Sequence, residues 1–357
     1  MNIFKLSISF LTLAFCTVNL CAQTAVELKQ VKMKKWHIGC AQFSGITSLG
    51  DNRYAVVSDK EPKDGFFLFR IDQNANTGQI TSVYLEGFKG NPNPTVDANG
   101  ISIRDCEGIA YIPESNTVFI SGEGDQRIIE YDMDGIPTGR ELNVPAIFSR
   151  KNIVPNYGFE ALSYDTESHL LWTTTESMLP IDGKAASPLN PGVQNLLRLQ
   201  AFSLNLEPIA QYAYRMDRGK LEDFGKLYVY GVPEITALPD GRLLVLEREA
   251  DITAGKFSSS VRCKLYIVNP KEGHQIDSSV NLTMLDPNKF LVKKLLADWR
   301  TGVQPIKINF ANYEGMCLGR KLADGRQTLI LISDSQGGKQ KGPVILNDYL
   351  KVIVLGN

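Results

Sequence analysis

The stretch CEGIAYIPESNTVFISGE, residues 106–123, decides the fold: an apolar run carrying Glu107 near its start, a polar turn at Glu114-Ser115-Asn116, and a second apolar run ending on Glu123. Aromatic and β-branched runs separated by turn formers are the mark of a β-hairpin. The same pattern returns in FSGITSLGDNRYAVVSD (43–59), FEALSYDTESHLLWTTTE (159–176), PEITALPDGRLLVLE (233–247) and YEGMCLGRKLADGRQTLILISD (313–334). Because the second strand of a hairpin runs back along the first, the start of one and the end of the other share a sheet edge. The residues expected to meet there are Ser44 with Asp59, Glu107 with Glu123, Glu160 with Glu176, Glu234 with Glu247, and Glu314 with Asp334. All but Ser44 are carboxylates, and so many like charges gathered about an axis require cations or large pKa shifts.

Further strand-like segments follow each hairpin, among them GFFLFRID (65–72), QRIIEYD (126–132), NLLRLQAFSL (195–204), CKLYIV (263–268) and SSVNLTML (278–285). A unit of about four antiparallel strands repeated along a chain is the signature of a β-propeller. The fold class read here is therefore all-β, with five marked blades and room for a sixth between residues 269 and 309. In that interval FLVKKLLADW (290–299) reads as a short amphipathic helix, with Leu291, Leu295 and Trp299 on one face. The last unit is short of a strand, and AVELKQVKM (25–33) is expected to complete it and close the ring.

Residues 1–22 carry Lys5, an apolar run over about 6–18 and small residues near Ala22, the layout of a cleavable secretory signal. The run is too short for the roughly 20 residues that span a bilayer. Residues 23–357 are expected to form one domain, exported to the periplasm or beyond the cell. With 38 basic and 39 acidic residues, the balance argues against nucleic acid as a partner. A monomer acting on a small molecule is expected. Cys40, Cys106, Cys263 and Cys317 have no zinc-type spacing; disulfides and packed free thiols both remain open.

The acids Asp59, Glu107, Glu123, Glu160, Glu176, Glu234, Glu247, Glu314 and Asp334 are candidate ligands for hard cations, with Ca²⁺ favoured because it accepts many carboxylate oxygens in flexible geometry. Their alternative role is to tie the ring together through backbone N–H groups and arginines. Lys60, Arg104, Arg127, Arg215, Arg248 and Lys339 lie near the same edge. Arg248 stands out, since a guanidinium suits bidentate phosphate binding. Glu247, Arg248 and Glu160 are the candidate catalytic residues. A serine triad has little support, with no GxSxG and three histidines in unremarkable settings.

The stretches DCEGIA (105–110), YGFEALS (157–163), TESMLPIDG (175–183), PEITALPDGRLLVLERE (233–249), KKLLADW (293–299), NYEGMCLG (312–319) and LISDS (331–335) resemble the phytase-like propeller family, often described as having esterase-like activity of phytase. The resemblance implies a propeller and a relation to calcium-dependent alkaline phytases, with Glu107, Glu160, Glu234, Glu247, Arg248, Glu314 and Asp334 as metal or phosphate residues. The expected function is a metal-dependent phosphate ester hydrolase. The alternatives are a non-catalytic ligand- or partner-binding propeller with structural metal, and a carboxylesterase, which would need a reactive serine.

Overall fold

The computed structural model describes residues 24–356, apart from 62, 101, 188–189, 191–192, 220–226, 253–257, 305–307, 339 and 342–343. The expected signal segment, 1–22, lies outside the described residues. Two short strands, β1 (Ala25–Glu27) and β2 (Val31–Lys32), precede the first blade. Blade 1 is β3 (Phe43–Gly50), β4 (Arg53–Ser58), β5 (Gly65–Gln73) and β6 (Ile80–Gly90). Blade 2 is β7 (Cys106–Ile112), β8 (Thr117–Gly122), β9 (Ile128–Asp132) and β10 (Pro137–Glu141). Blade 3 is β11 (Phe159–Asp165), β12 (Leu170–Thr175), β13 (Leu196–Ser203) and β14 (Pro208–Arg215). Blade 4 is β15 (Leu227–Ala237), β16 (Leu243–Ile252), β17 (Ser260–Val268) and β18 (Lys293–Gly302). Blade 5 begins with β19 (Asn312–Lys321) and β20 (Gln327–Asp334); a two-stranded hairpin, β21 (Gln340–Lys341) with β22 (Val344–Ile345), intervenes, and β23 (Tyr349–Leu355) resumes the blade.

β1 completes blade 5 by pairing antiparallel with β23, Ala25 opposite Leu355 and Glu27 opposite Ile353, so the expectation that the early segment closes the ring holds. The count is five blades. The interval that could have held a sixth contributes the outer strand of blade 4 and three 3₁₀ turns. Two readings there are corrected: residues 290–299 form no helix but run into β18, and the expected strand at 278–285 is a loop with a 3₁₀ turn at Leu282–Met284.

Tight turns set the hairpins. Asp51 and Asn52 both take left-handed backbone, φ 50° and 62°, as a two-residue turn between twisted strands requires. The innermost strands β3, β7, β11, β15 and β19 touch in sequence around the ring, and β19 returns to β3. Apolar side chains fill the seams. Val56, Phe69 and Ile71 of blade 1 pack with Ile330, Ile332 and Val352 of blade 5, and Leu197, Leu199 and Tyr214 of blade 3 with Ile235, Leu243 and Val245 of blade 4. Between blades 4 and 5 lie Leu246, Leu265, Trp299, Tyr313 and Leu331. Burying each such side chain contributes roughly 1.5–3 kcal/mol, so the seams hold neighbouring blades firmly together.

Two features position the site. Each innermost hairpin has a bulge near the start of its first strand: Phe43/Ile46, Cys106/Ile109, Phe159/Ala161, Gly231/Glu234 and Tyr313/Gly315. A bulge bends the strand and re-aims its side chains. The β15–β16 ladder also runs on to Leu227 opposite Ile252, four residues beyond the Gly231–Arg248 pair, so blade 4 stands above the ring.

Candidate metal and catalytic cavity

The bulges turn one row of residues toward the axis, where a cavity of about 390 Å³ is lined by Asp59, Glu107, Glu160, Glu176, Glu314 and Asp334 from four blades. Glu123 lies beside them: its carboxylate oxygen is within 4.8 Å of those of Glu107 and Glu160. A second triad, Asp59, Asp105 and Glu107, meets the same spacing, so Glu107 belongs to both. Asp105 was not among the residues singled out from sequence. It precedes Cys106 in the DCEG run with φ 51°, a left-handed conformation in which Asp is enriched among non-glycine residues.

Glu234 and Glu247 are placed elsewhere. In blade 4 the edge position is occupied by Arg248, opposite Gly231, while in blade 5 Asp334 stands opposite Asn312, and Pro233 falls where the other blades have Ser44, Glu107, Glu160 or Glu314. The expected pairing of the fourth repeat is thus out by one residue, and a shift of one turns every side chain to the opposite face. The signal that would have caught it is the proline after the first strand: aligning Pro239 with Pro113 sets Glu234 against Gly108. Glu247 instead accepts hydrogen bonds from Tyr214 Oη (2.7 Å), Tyr230 Oη (3.2 Å) and Lys293 Nζ (2.5 Å) at the seam with blade 3. Glu234 is a clamp, accepting from the backbone N–H of Leu162 (3.2 Å) and of Ile235 (3.0 Å).

Within the cavity the polar partners are few. Arg248, 4 % exposed, bridges Glu176 and Glu314 and donates to Asn312 Oδ1 at 3.1 Å, while its buried Nε–H has no hydrogen-bond partner among the described residues. Ser44 Oγ donates to Glu107 at 2.5 Å, and the Gly158 N–H to Glu123 at 2.9 Å. Asp334 accepts from Gln336 N (2.5 Å) and Gln336 Nε2 (2.9 Å). Lys60 reaches Asp59 at 3.0 Å and Asp105 at 2.6 Å. Buried Asp59 Oδ1 has no partner among the described residues.

Burial dominates the electrostatics. It pushes Asp59 up to about 6, with Lys60 opposing and Asp334 adding to the rise. It pushes Glu123 up to about 7 against the Gly158 N–H, and Glu314 up to about 8 against Arg248. Glu107 and Glu160 are driven well above the ordinary carboxylate range by burial first; Asp59 and Asp105 add to Glu107, and Glu107 and Glu176 to Glu160. Burial opposes the charge on Arg248, and Glu314, Glu176 and Glu160 overcome it. Short of compensating charge, these buried acids favour the protonated form more than free carboxylates do. An all-oxygen donor set with an unpaired buried carboxylate oxygen and two overlapping triads fits a hard cation of the Ca²⁺ type.

The other basic residues do not line the cavity. Arg104 pairs with Asp125 at 2.7 Å, Arg127 pairs with Glu141, and Arg215 stacks over Phe290, 4.1 Å from its ring centre. Lys339 lies outside the described residues. His169 sits in a surface turn against Glu114 at 3.0 Å. All four cysteines of residues 24–356 are free thiols, Cys40 exposed and Cys106, Cys263 and Cys317 buried.

Among solved structures, the chain is similar to an endo-arabinase from Bacteroides thetaiotaomicron VPI-5482, at 14% identity and TM-score 0.43 over 87% of this chain and 94% of that one. It is also similar to an α-L-arabinanase of Penicillium chrysogenum complexed with arabinobiose, at 12% identity and TM-score 0.39 over 92% and 98%. A third is a DUF4221 member from Bacteroides vulgatus, at 9% identity and TM-score 0.37 over 94% and 97%. Similarities this weak bear on neither substrate nor activity. No curated protein matches the chain. The family model described as phytase-like, esterase-like activity of phytase, matches residues 38–336, which take in all five innermost hairpins and every cavity carboxylate, and the chain therefore belongs to the phytase-like family.

Proposed function

We propose that this member of the phytase-like family is an exported, calcium-dependent hydrolase of a phosphate ester. One observation supports the reading above the others: among the described residues, six carboxylates from four blades line one cavity together with the guanidinium of Arg248. Asp59, Asp105, Glu107, Glu123 and Glu160 are the residues that would hold Ca²⁺, which when bound supplies positive charge for a phosphate oxygen and an attacking water. Arg248 is held between Glu176 and Glu314, so its position is set before a ligand arrives, and it stabilises negative charge on the transferred phosphoryl group. In the reaction a water oxygen forms a new bond to phosphorus while the bond to the alcohol oxygen breaks. Glu160, ionised once a cation matches the charge of the acid cluster, takes the proton that water loses, and solvent protonates the departing oxygen on the far side of the phosphorus.

The test is phosphate release by the mature protein from a panel of phosphate esters, with Ca²⁺ and with chelator. Release that needs Ca²⁺ and is lost in Glu160→Gln and Arg248→Ala is the expected result. Equal release in chelator overturns the calcium requirement. No release, with a melting temperature still raised by Ca²⁺, turns the reading to a non-catalytic binding propeller.

A further inference from the structure

The cavity has two unlike walls. Blades 1, 2, 3 and 5 supply the acids, whereas blade 4 supplies Leu227, Val229, Ala250 and Ile252, joined by Val303 and Phe310. Strand alternation is the cause. Along β16 the side chains of Arg248, Ala250 and Ile252 share one face, and opposite them on β15 stand Gly231, Val229 and Leu227. The upstanding end of the hairpin therefore presents an apolar palisade directly above Arg248. Tyr228, Glu249 and Asp251 are turned to its other side, where Glu249 and Asp251 line a separate polar pocket with Arg262 and Arg300. Leu227, at the lip, is 53% exposed.

Resting on the hydrolase reading, we infer that the substrate is a phosphate monoester of an apolar alcohol or phenol, its phosphoryl group at the acidic floor by Arg248 and its hydrocarbon against the blade 4 palisade. A pocket with an apolar body and a few placed polar groups is the usual design for recognising an amphiphilic small molecule.

The test pairs two readouts in Ca²⁺: calorimetric binding of methyl-, butyl- and octylphosphonate, and turnover of the matching alkyl phosphates and of phytate. Affinity and kcat/KM are expected to rise about 4-fold per added CH2 until the palisade is covered, the factor set by the transfer free energy of a methylene. Leu227→Asn, at an exposed position that leaves folding intact, should flatten the rise, and Val229→Asn should flatten it further. Turnover without chain-length dependence, or phytate preferred, overturns the inference and leaves the hydrolase reading standing. Phosphonates that bind with the gradient while no ester is cleaved overturn the hydrolase reading and keep the ligand class. Failure of both binding and turnover overturns both.

Discussion

Arg248 and Glu247 are chain neighbours with opposite tasks, and their variants should separate cleanly. Arg248→Ala removes the guanidinium that lines the cavity and leaves Glu176 and Glu314 facing each other, so kcat/KM is expected to fall by about 10²–10³-fold, the usual loss for a preorganised charge-stabilising donor. Glu247→Gln acts at the seam, where the carboxylate serves two tyrosines and Lys293. It should cost about 1–3 kcal/mol of stability, read by denaturant unfolding, with kcat unchanged. A Glu247→Gln enzyme that is fully stable but inactive would contradict this division. The acids of the second, third and fifth repeats were legible because Glu107, Glu160 and Glu314 each directly follow the first apolar residue of their hairpin. The fourth repeat was misread because Glu234 imitates that motif one residue late, and an off-by-one error is invisible to composition while it inverts the face. Asp105 escaped notice because it precedes the strand, where no periodicity applies.

At the scale of the strand, the spacing between blades is set by glycines in the bulges. A Cβ on Gly315 would lie 2.3 Å from the carbonyl oxygen of Ser44, and one on Gly108 2.4 Å from that of Glu160. Gly315→Ala and Gly108→Ala are each expected to destabilise the ring by about 1–3 kcal/mol, measured by denaturant unfolding, since backbone must move to admit the methyl group. Wild-type stability in either would show that the blades pack more loosely than this. Ala161 is tolerated at the matching place because blade 4 meets blade 3 there through the Glu234 side chain bonded to Leu162 N. The hairpins were readable from alternation and turn residues. The outer strand of blade 4 was not, for a specific reason: Leu291, Leu295 and Trp299 are spaced by four, the helical interval, whereas in the structure Leu291 precedes β18 and a register shift beside Leu296 leaves Leu295 exposed and Trp299 buried, so no regular strand alternation shows in the sequence. Only the pairing of β18 with β17 decides the matter.

Taken as a whole, the molecule concentrates acids whose affinity for protons burial raises, and this sets its pH response. In chelator the folded form binds protons at Asp59 up to about 6, at Glu123 up to about 7 and at Glu314 up to about 8, above where the unfolded chain releases them. Their stabilising contribution is present at low pH and lost as pH rises, so the melting temperature in chelator should fall between about pH 5 and pH 9. With Ca²⁺ the ionised acids are matched, and the gap between the two melting curves should widen with pH; a melting temperature that climbs with pH in chelator would refute this account. Ring closure adds a constraint of time. The pairing of β1 with β23 joins a strand near the start of the described chain to one at its end, and Glu314 and Asp334 belong to the blade so completed. During synthesis four blades can pack while the fifth still waits for its last strand, which leaves the axis open and the acid ring incomplete. On the proposed calcium reading the holding acids all lie in blades 1 to 3, so the closing strand completes not the cation site but the blade whose Glu314 seats Arg248, and the charge-stabilising wall is the last part of the cavity to be finished.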